Sequence, residues 1–202
     1  MTSLKLYHDR SFDIQAVKLL PGDYYASSDN IMIVTVLGSC VAACIRDKQT
    51  GIGGMNHFML PEGAGGNTTG AWGSSSSRYG AYAMEMLINH VLKLGARRNQ
   101  LEAKLFGGGA VIKHLKSSNI GEKNAKFSID YLEMEGIPVV SSDLLDIYPR
   151  RVYFFPQTGK VLVKKMYGIH SNEVILQEQG YSSSLKAKDV SGDIAGDIEL
   201  FD

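Results

Sequence analysis

The chain has 202 residues, 21 basic and 21 acidic side chains, 22 glycines and two cysteines. That length suits one domain with a sizeable buried core, and zero formal net charge argues against a strongly basic nucleic-acid binder. Two cysteines four residues apart, Cys40 and Cys44, cannot build a disulfide framework.

Met1 to Arg10 lacks a cationic stretch followed by an apolar run, so no signal peptide is expected there. No run reaches the roughly 18 apolar residues that span a bilayer. The expectation is a cytoplasmic protein without membrane insertion.

Ile31 to Leu37 is a short run rich in β-branched residues and predicts a buried strand. Gly38-Ser39 breaks it, and Cys40 to Arg46 predicts a second strand. Asp47 to Gly51 has turn chemistry, and Ile52 to Leu60 predicts a third strand ending at Pro61. Residues 63–78, with the only tryptophan, Trp72, are expected to form a long loop. Tyr79 to Leu94 predicts a helix with Ala83, Leu87, Val91 and Leu94 on one stripe and Gly95 as its cap.

Leu101 to Phe106 predicts a strand that runs into Gly107-Gly108-Gly109. The triplet lacks the pattern of a phosphate loop and is expected to be a tight turn or a close backbone approach. Ile120 to Glu135 predicts a second helix with Ala125, Ile129 and Leu132 inward. Val139-Val140 reads as a short strand, and Arg151 to Phe155 and Lys160 to Met166 as a hairpin. The expected class is mixed α/β, a layered α+β fold with mixed or antiparallel sheets and two or three helices. Asp189 to Asp202 holds five acids and no bases, leaving the rest of the chain at +5. Residues 1–180 are expected to form a single domain and 181–202 a flexible acidic tail.

The first hairpin places two reactive side chains together. With Lys48-Gln49 as a two-residue loop, Cys40 lies directly opposite His57 on one face. A bulge at Gly51 would slip this by one residue and flip the face. An imidazole beside a thiol suggests a nucleophile and its base, and N–H groups at Gly38, Ser39 and Cys40 could hold an oxyanion. The same residues also suit an ordinary hairpin with a small buried cysteine and a hydrogen-bonded histidine. Cys44 is expected to fill space in the core. Cys40, Cys44 and His57 are too few for a structural zinc site, and His8, His90, His114 and His170 show no partner in sequence.

Leu37-Gly38-Ser39-Cys40-Val41, the seventeen residues from Cys40 to His57, and Met59-Leu60-Pro61 resemble the chemoreceptor glutamine deamidases of bacterial chemotaxis, the CheD family. Arg78-Tyr79-Gly80, Ala103 to Gly108, Asn119-Ile120-Gly121 with Asn124, and Arg151 to Gly159 extend the resemblance over about residues 14–167. It implies a layered sandwich related to deamidating toxins and a Cys40, His57, Thr35 catalytic set. Thr35 would orient His57, although it stands five residues before Cys40 where some members have one residue more. Leu144 to Pro149 departs from a glycine-rich stretch of the family. The implied activity converts receptor glutamine to glutamate and ammonia with no metal and no cofactor. The implied partners are methyl-accepting chemotaxis receptors and a CheC-type chemotaxis phosphatase. The alternative is a non-catalytic module that docks on such partners and regulates them.

Overall fold

The two apolar runs at 31–37 and 40–46 form strands that belong to different sheets. The computed structural model describes residues 4–61, 75–111, 119–167 and 170–191. Its strands are β1 (Leu6–Asp9), β2 (Ile14–Lys18), β3 (Tyr24–Ser27), β4 (Met32–Leu37), β5 (Val41–Asp47), β6 (Gly53–Asn56), β7 (Leu101–Gly107), β8 (Val139–Leu144), β9 (Arg150–Phe155) and β10 (Lys160–Lys165). The helices are α1 (Ser75–Lys93), α2 (Ile120–Met134) and α3 (His170–Ser191). One sheet has the order β1-β2-β4-β9-β10 and the other β3-β6-β5-β7-β8. Each contains one parallel pair, β2 with β4 and β7 with β8.

The sheets pack face to face. Val17, Ile33, Leu37, Val152 and Phe154 of the first meet Ala42, Cys44, Met55 and Phe106 of the second. The other face of the second sheet, with Val41, Ala43, Ile45, Ala103 and Leu105, is covered by Met84, Leu87, Ile88 and Val91 of α1 and Leu132 of α2. Strands buried on both faces explain why β4 and β5 read as continuous apolar runs rather than alternating ones. Burying each of Leu87 and Val91 fully contributes about 1.5–3 kcal/mol, which fastens α1 to its sheet. The layered α+β class follows, as sheet, sheet and helices.

The first hairpin has a longer loop than expected. Asp47 Oδ1 accepts the N–H groups of Gln49 and Thr50 at 2.8 and 3.1 Å, and Gly51 adopts φ +74°. The Gly51 N–H returns to the Asp47 carbonyl at 2.9 Å, so four residues rather than two make the turn. The ladder therefore pairs Cys44 with Met55 and Arg46 with Gly53, and Val41 bridges Phe58. This register is displaced by two residues, so Cys40 and His57 are not directly opposite. A displacement of two keeps both on the same face.

Other boundaries shift too. The third strand ends at Asn56, and β8 continues to Leu144 because it lies alongside β7. Ser75 to Arg78, expected in the loop, start α1, while 63–74 with Trp72 fall outside the described residues. On α2 the inward stripe is Gly121, Asn124, Ala125, Ser128, Tyr131 and Leu132, whereas Ile129 is 44% exposed. Tyr181 to Ser191, expected in the tail, belong to α3, and 192–202 lie outside the described residues. Among the described residues no helix is long and apolar enough to cross a membrane.

Candidate active site

Gly38, Ser39 and Cys40 carry the chain from β4 in one sheet to β5 in the other. Their carbonyls are all taken. Gly109 N–H donates to Gly38 O at 2.7 Å, Asn124 Nδ2 to Ser39 O at 2.9 Å, and Gly108 N–H to Cys40 O at 2.7 Å. Asn124 also accepts the Leu60 N–H at 2.9 Å, which ties the crossing to the strand end beyond His57.

The glycine triplet makes this possible. A Cβ on Gly107 would stand 2.2 Å from the Cys40 carbonyl oxygen, and its φ is +109°. The expected close backbone approach is thus found, with the crossing loop as its partner. With the three carbonyls held, the N–H groups of Gly38, Ser39 and Cys40 converge on one spot, at 2.7, 2.7 and 3.1 Å from the Glu178 carboxylate.

Thr35 and His57 approach from the two sheets. Thr35 shares the inner face of β4 with Ile33 and Leu37 and is fully buried. His57 follows β6, where its N–H donates to Asp23 O at 2.9 Å and its carbonyl accepts Gly22 N–H at 2.7 Å. Thr35 Oγ1 lies 2.8 Å from His57 Nδ1 and 3.0 Å from the Leu19 carbonyl. A carbonyl can only accept, so the single hydroxyl proton of Thr35 goes to Leu19. Nδ1 must then carry the ring proton, and Nε2 bears the lone pair. Nε2 is buried and, among the described residues, has no hydrogen-bond partner.

Cys40 Sγ, a ring nitrogen of His57 and a carboxylate oxygen of Glu178 all lie within 4.8 Å of one another. Cys40 and His57 are 0% and 2% exposed. Burial, then the charge and hydrogen bond of Glu178, push the Cys40 thiol well above its usual range. Burial pulls His57 down to about 3. The resting pair is a neutral thiol beside a neutral imidazole.

Thiol, imidazole and carboxylate are metal-ligand types, but each Glu178 oxygen already receives two donors. Thr35 likewise occupies Nδ1. The arrangement is an anion seat beside a nucleophile and an acceptor nitrogen. It is suited to acyl transfer with the oxyanion held by backbone N–H groups.

Cys44 is buried among the inter-sheet residues, and both cysteines are free thiols. His8 pairs with Asp13 at 3.0 Å, and His90 stands edge-on to Tyr24. His114 falls outside the described residues, as does the side chain of His170. Two contributors were not expected as such. Asn124 reads in sequence only as part of a helix start; the available signal is its helical spacing with Gly121 and Ser128, which puts the three on one face of α2. Glu178 sits in a buried stripe with Val174 and Leu185, which with partly buried Tyr181 repeats at helical spacing. A glutamate inside such a stripe marks a buried carboxylate that needs donors.

A family model described as "CheD chemotactic sensory transduction" matches residues 59–165. The chain is 57% identical over 195 residues to the "Probable chemoreceptor glutamine deamidase CheD 1" of Dechloromonas aromatica, covering 96% of this chain and 93% of that protein. It is 58% identical to the "Probable chemoreceptor glutamine deamidase CheD" of Methylobacillus flagellatus, covering 97% and 94%. The corresponding "CheD 1" protein of Shewanella oneidensis is 57% identical, covering 96% and 92%. With more than half of its residues shared over nearly the full length of these proteins, and with the matching family model, the chain belongs to the CheD family.

Proposed function

We propose that this chain is a chemoreceptor glutamine deamidase, a hydrolase that converts receptor glutamine side chains to glutamate with release of ammonia. Cys40 is the nucleophile, His57 the general base, and Thr35 the group that fixes the ring. The N–H groups of the Gly38-Ser39-Cys40 crossing form the oxyanion hole. The observation that carries the reading is the Thr35 to His57 contact of 2.8 Å. Its proton inventory leaves Nε2 as an acceptor in the same buried cluster as the Cys40 thiol.

The chemistry follows. His57 Nε2 takes the thiol proton as Cys40 Sγ attacks the side-chain amide carbon. The carbonyl π electrons move to oxygen, which the N–H groups stabilise. Collapse breaks the C–N bond, and ammonia leaves with the proton from His57. Water then gives a proton to the same nitrogen and adds to the thioester. Loss of Cys40 as thiol yields glutamate, so one amide and one water become one carboxylic acid and one ammonia. This route uses no metal and no organic cofactor.

The substrate glutamines lie on cytoplasmic helices of methyl-accepting chemotaxis receptors, a CheC-type phosphatase is a further partner, and the chain works in the cytoplasm. Residues 1–180 act as one deamidase domain. The test is ammonia release from the cytoplasmic fragment of a receptor. The wild-type chain should release ammonia, and Cys40→Ala and His57→Ala should not while still binding the fragment. Release undiminished in Cys40→Ala would reject the assignment.

A further inference from the structure

The nest of N–H groups beside Cys40 is already filled by a side chain of the protein itself. Glu178, on α3, is 2% exposed, and its carboxylate lies in the N–H nest. Oε1 accepts from Gly38 N at 2.7 Å and Cys40 N at 3.1 Å. Oε2 accepts from Ser39 N at 2.7 Å and Ser39 Oγ at 2.8 Å. The Cys40 thiol lies within 4.8 Å of the same carboxylate.

The rest of α3 is seated as well. Val174 and Leu185 are buried, and the Tyr181 hydroxyl bonds that of Tyr79 on α1. Two glycines admit the helix. A Cβ on Gly38 would lie 2.7 Å from Glu178 Oε2, and one on Gly22 would lie 2.8 Å from the Tyr181 hydroxyl.

We infer that α3 is an internal product analogue: it occupies the docking groove of the substrate helix and holds the site shut through Glu178 until a glutamine-bearing helix displaces it. This rests on the deamidase reading and deepens it.

The chemistry of the seat supports a product rather than a substrate. The N–H groups of Gly38, Ser39 and Cys40 and the Ser39 hydroxyl all donate to Glu178. A carboxylate satisfies them with both oxygens, whereas a carboxamide would turn its NH2 toward the Ser39 N–H. A carboxylate also resists attack by a thiol, so the seated side chain blocks turnover without being consumed. The geometry further defines the partner as a helix that carries glutamine at the Glu178 position. Apolar side chains four before and seven after it, and an aromatic three after it, fall where Val174, Leu185 and Tyr181 sit.

Two measurements test this, using the full chain. The first is the rate of Cys40 alkylation by iodoacetamide, read by intact mass. Glu178→Ala, and Tyr181→Ala, which leaves the nest untouched, should each raise it by about tenfold or more, as expected when the open form is the minor one. The second is deamidation of the receptor cytoplasmic fragment, where both variants should show a lower KM. Glu178→Gln adds a self-test. Its peptide should gain about one dalton by conversion to glutamate, and should not when combined with Cys40→Ala.

Unchanged alkylation in both Glu178→Ala and Tyr181→Ala would overturn the inference, even if the fragment is deamidated normally. Faster alkylation without deamidation by any variant would uphold the seat and reject the deamidase reading.

Discussion

Replacing Thr35 with valine removes one hydroxyl and changes little else in shape. That hydroxyl serves two buried groups, the Leu19 carbonyl at 3.0 Å and His57 Nδ1 at 2.8 Å. Leaving a buried donor or acceptor unpaired costs about 1–3 kcal/mol, so two such groups cost about 2–6 kcal/mol. The added methyl returns about 0.8 kcal/mol, for a net loss of about 1–5 kcal/mol by urea unfolding. The catalytic consequence is separate. Without Thr35, nothing fixes the ring proton on Nδ1, and the tautomer with Nε2–H cannot take the thiol proton. Loss of a general base lowers kcat by about 10²–10⁴. Thr35→Ser keeps the hydroxyl and should retain kcat within about tenfold. Receptor-fragment deamidation at matched folded fraction is the assay. Valine at wild-type rate, or serine as slow as valine, would refute the role of Thr35.

Burial of neutral His57 makes stability depend on pH. The unfolded chain protonates this ring below its ordinary 6.5, whereas the folded chain resists until about 3. The unfolded state then binds more protons in that window, so stability falls as pH falls from 6.5 toward 3, by up to about 1.4 kcal/mol per unit. His57→Gln should remove this slope, and an unchanged slope by urea titration would contradict the burial of the ring. Gly107→Ala must place a Cβ 2.2 Å from the Cys40 carbonyl oxygen and should lose both stability and activity. Gly95→Ala, at φ +106° with only Ile52 at 3.8 Å, should lose stability alone. Cys44→Ala should cost about 1–2 kcal/mol in unfolding and leave deamidation unchanged, and a rate loss would assign Cys44 more than packing.

The strands that frame the site were legible because they are buried on both faces. Ile33, Leu37, Ala42 and Cys44 must be apolar wherever the register falls. The register itself was not, because it depends on Asp47 capping two N–H groups and on Gly51 at positive φ. The face of Cys40 and His57 survived because the displacement was an even number of residues. The strands β1 to β3 were missed because they are short, and β1 is largely exposed, which leaves little periodic signal. Glycines 107–109 showed that backbones approach closely but not which ones. Their partner, the Gly38 to Cys40 crossing, is about seventy residues earlier in the chain. Glu178 lies just before the stretch 181–202 that reads as a tail, in a segment that reads as no particular element. Its purpose depends on donors some 140 residues away.

The most direct measurement is peptide mass spectrometry of a chemoreceptor cytoplasmic fragment incubated with the chain. The account predicts a gain of about one dalton at particular glutamines with the wild-type chain, and none with Cys40→Ala or His57→Ala. A gain that persists with Cys40→Ala would contradict it, as would no gain with both the wild-type chain and Glu178→Ala.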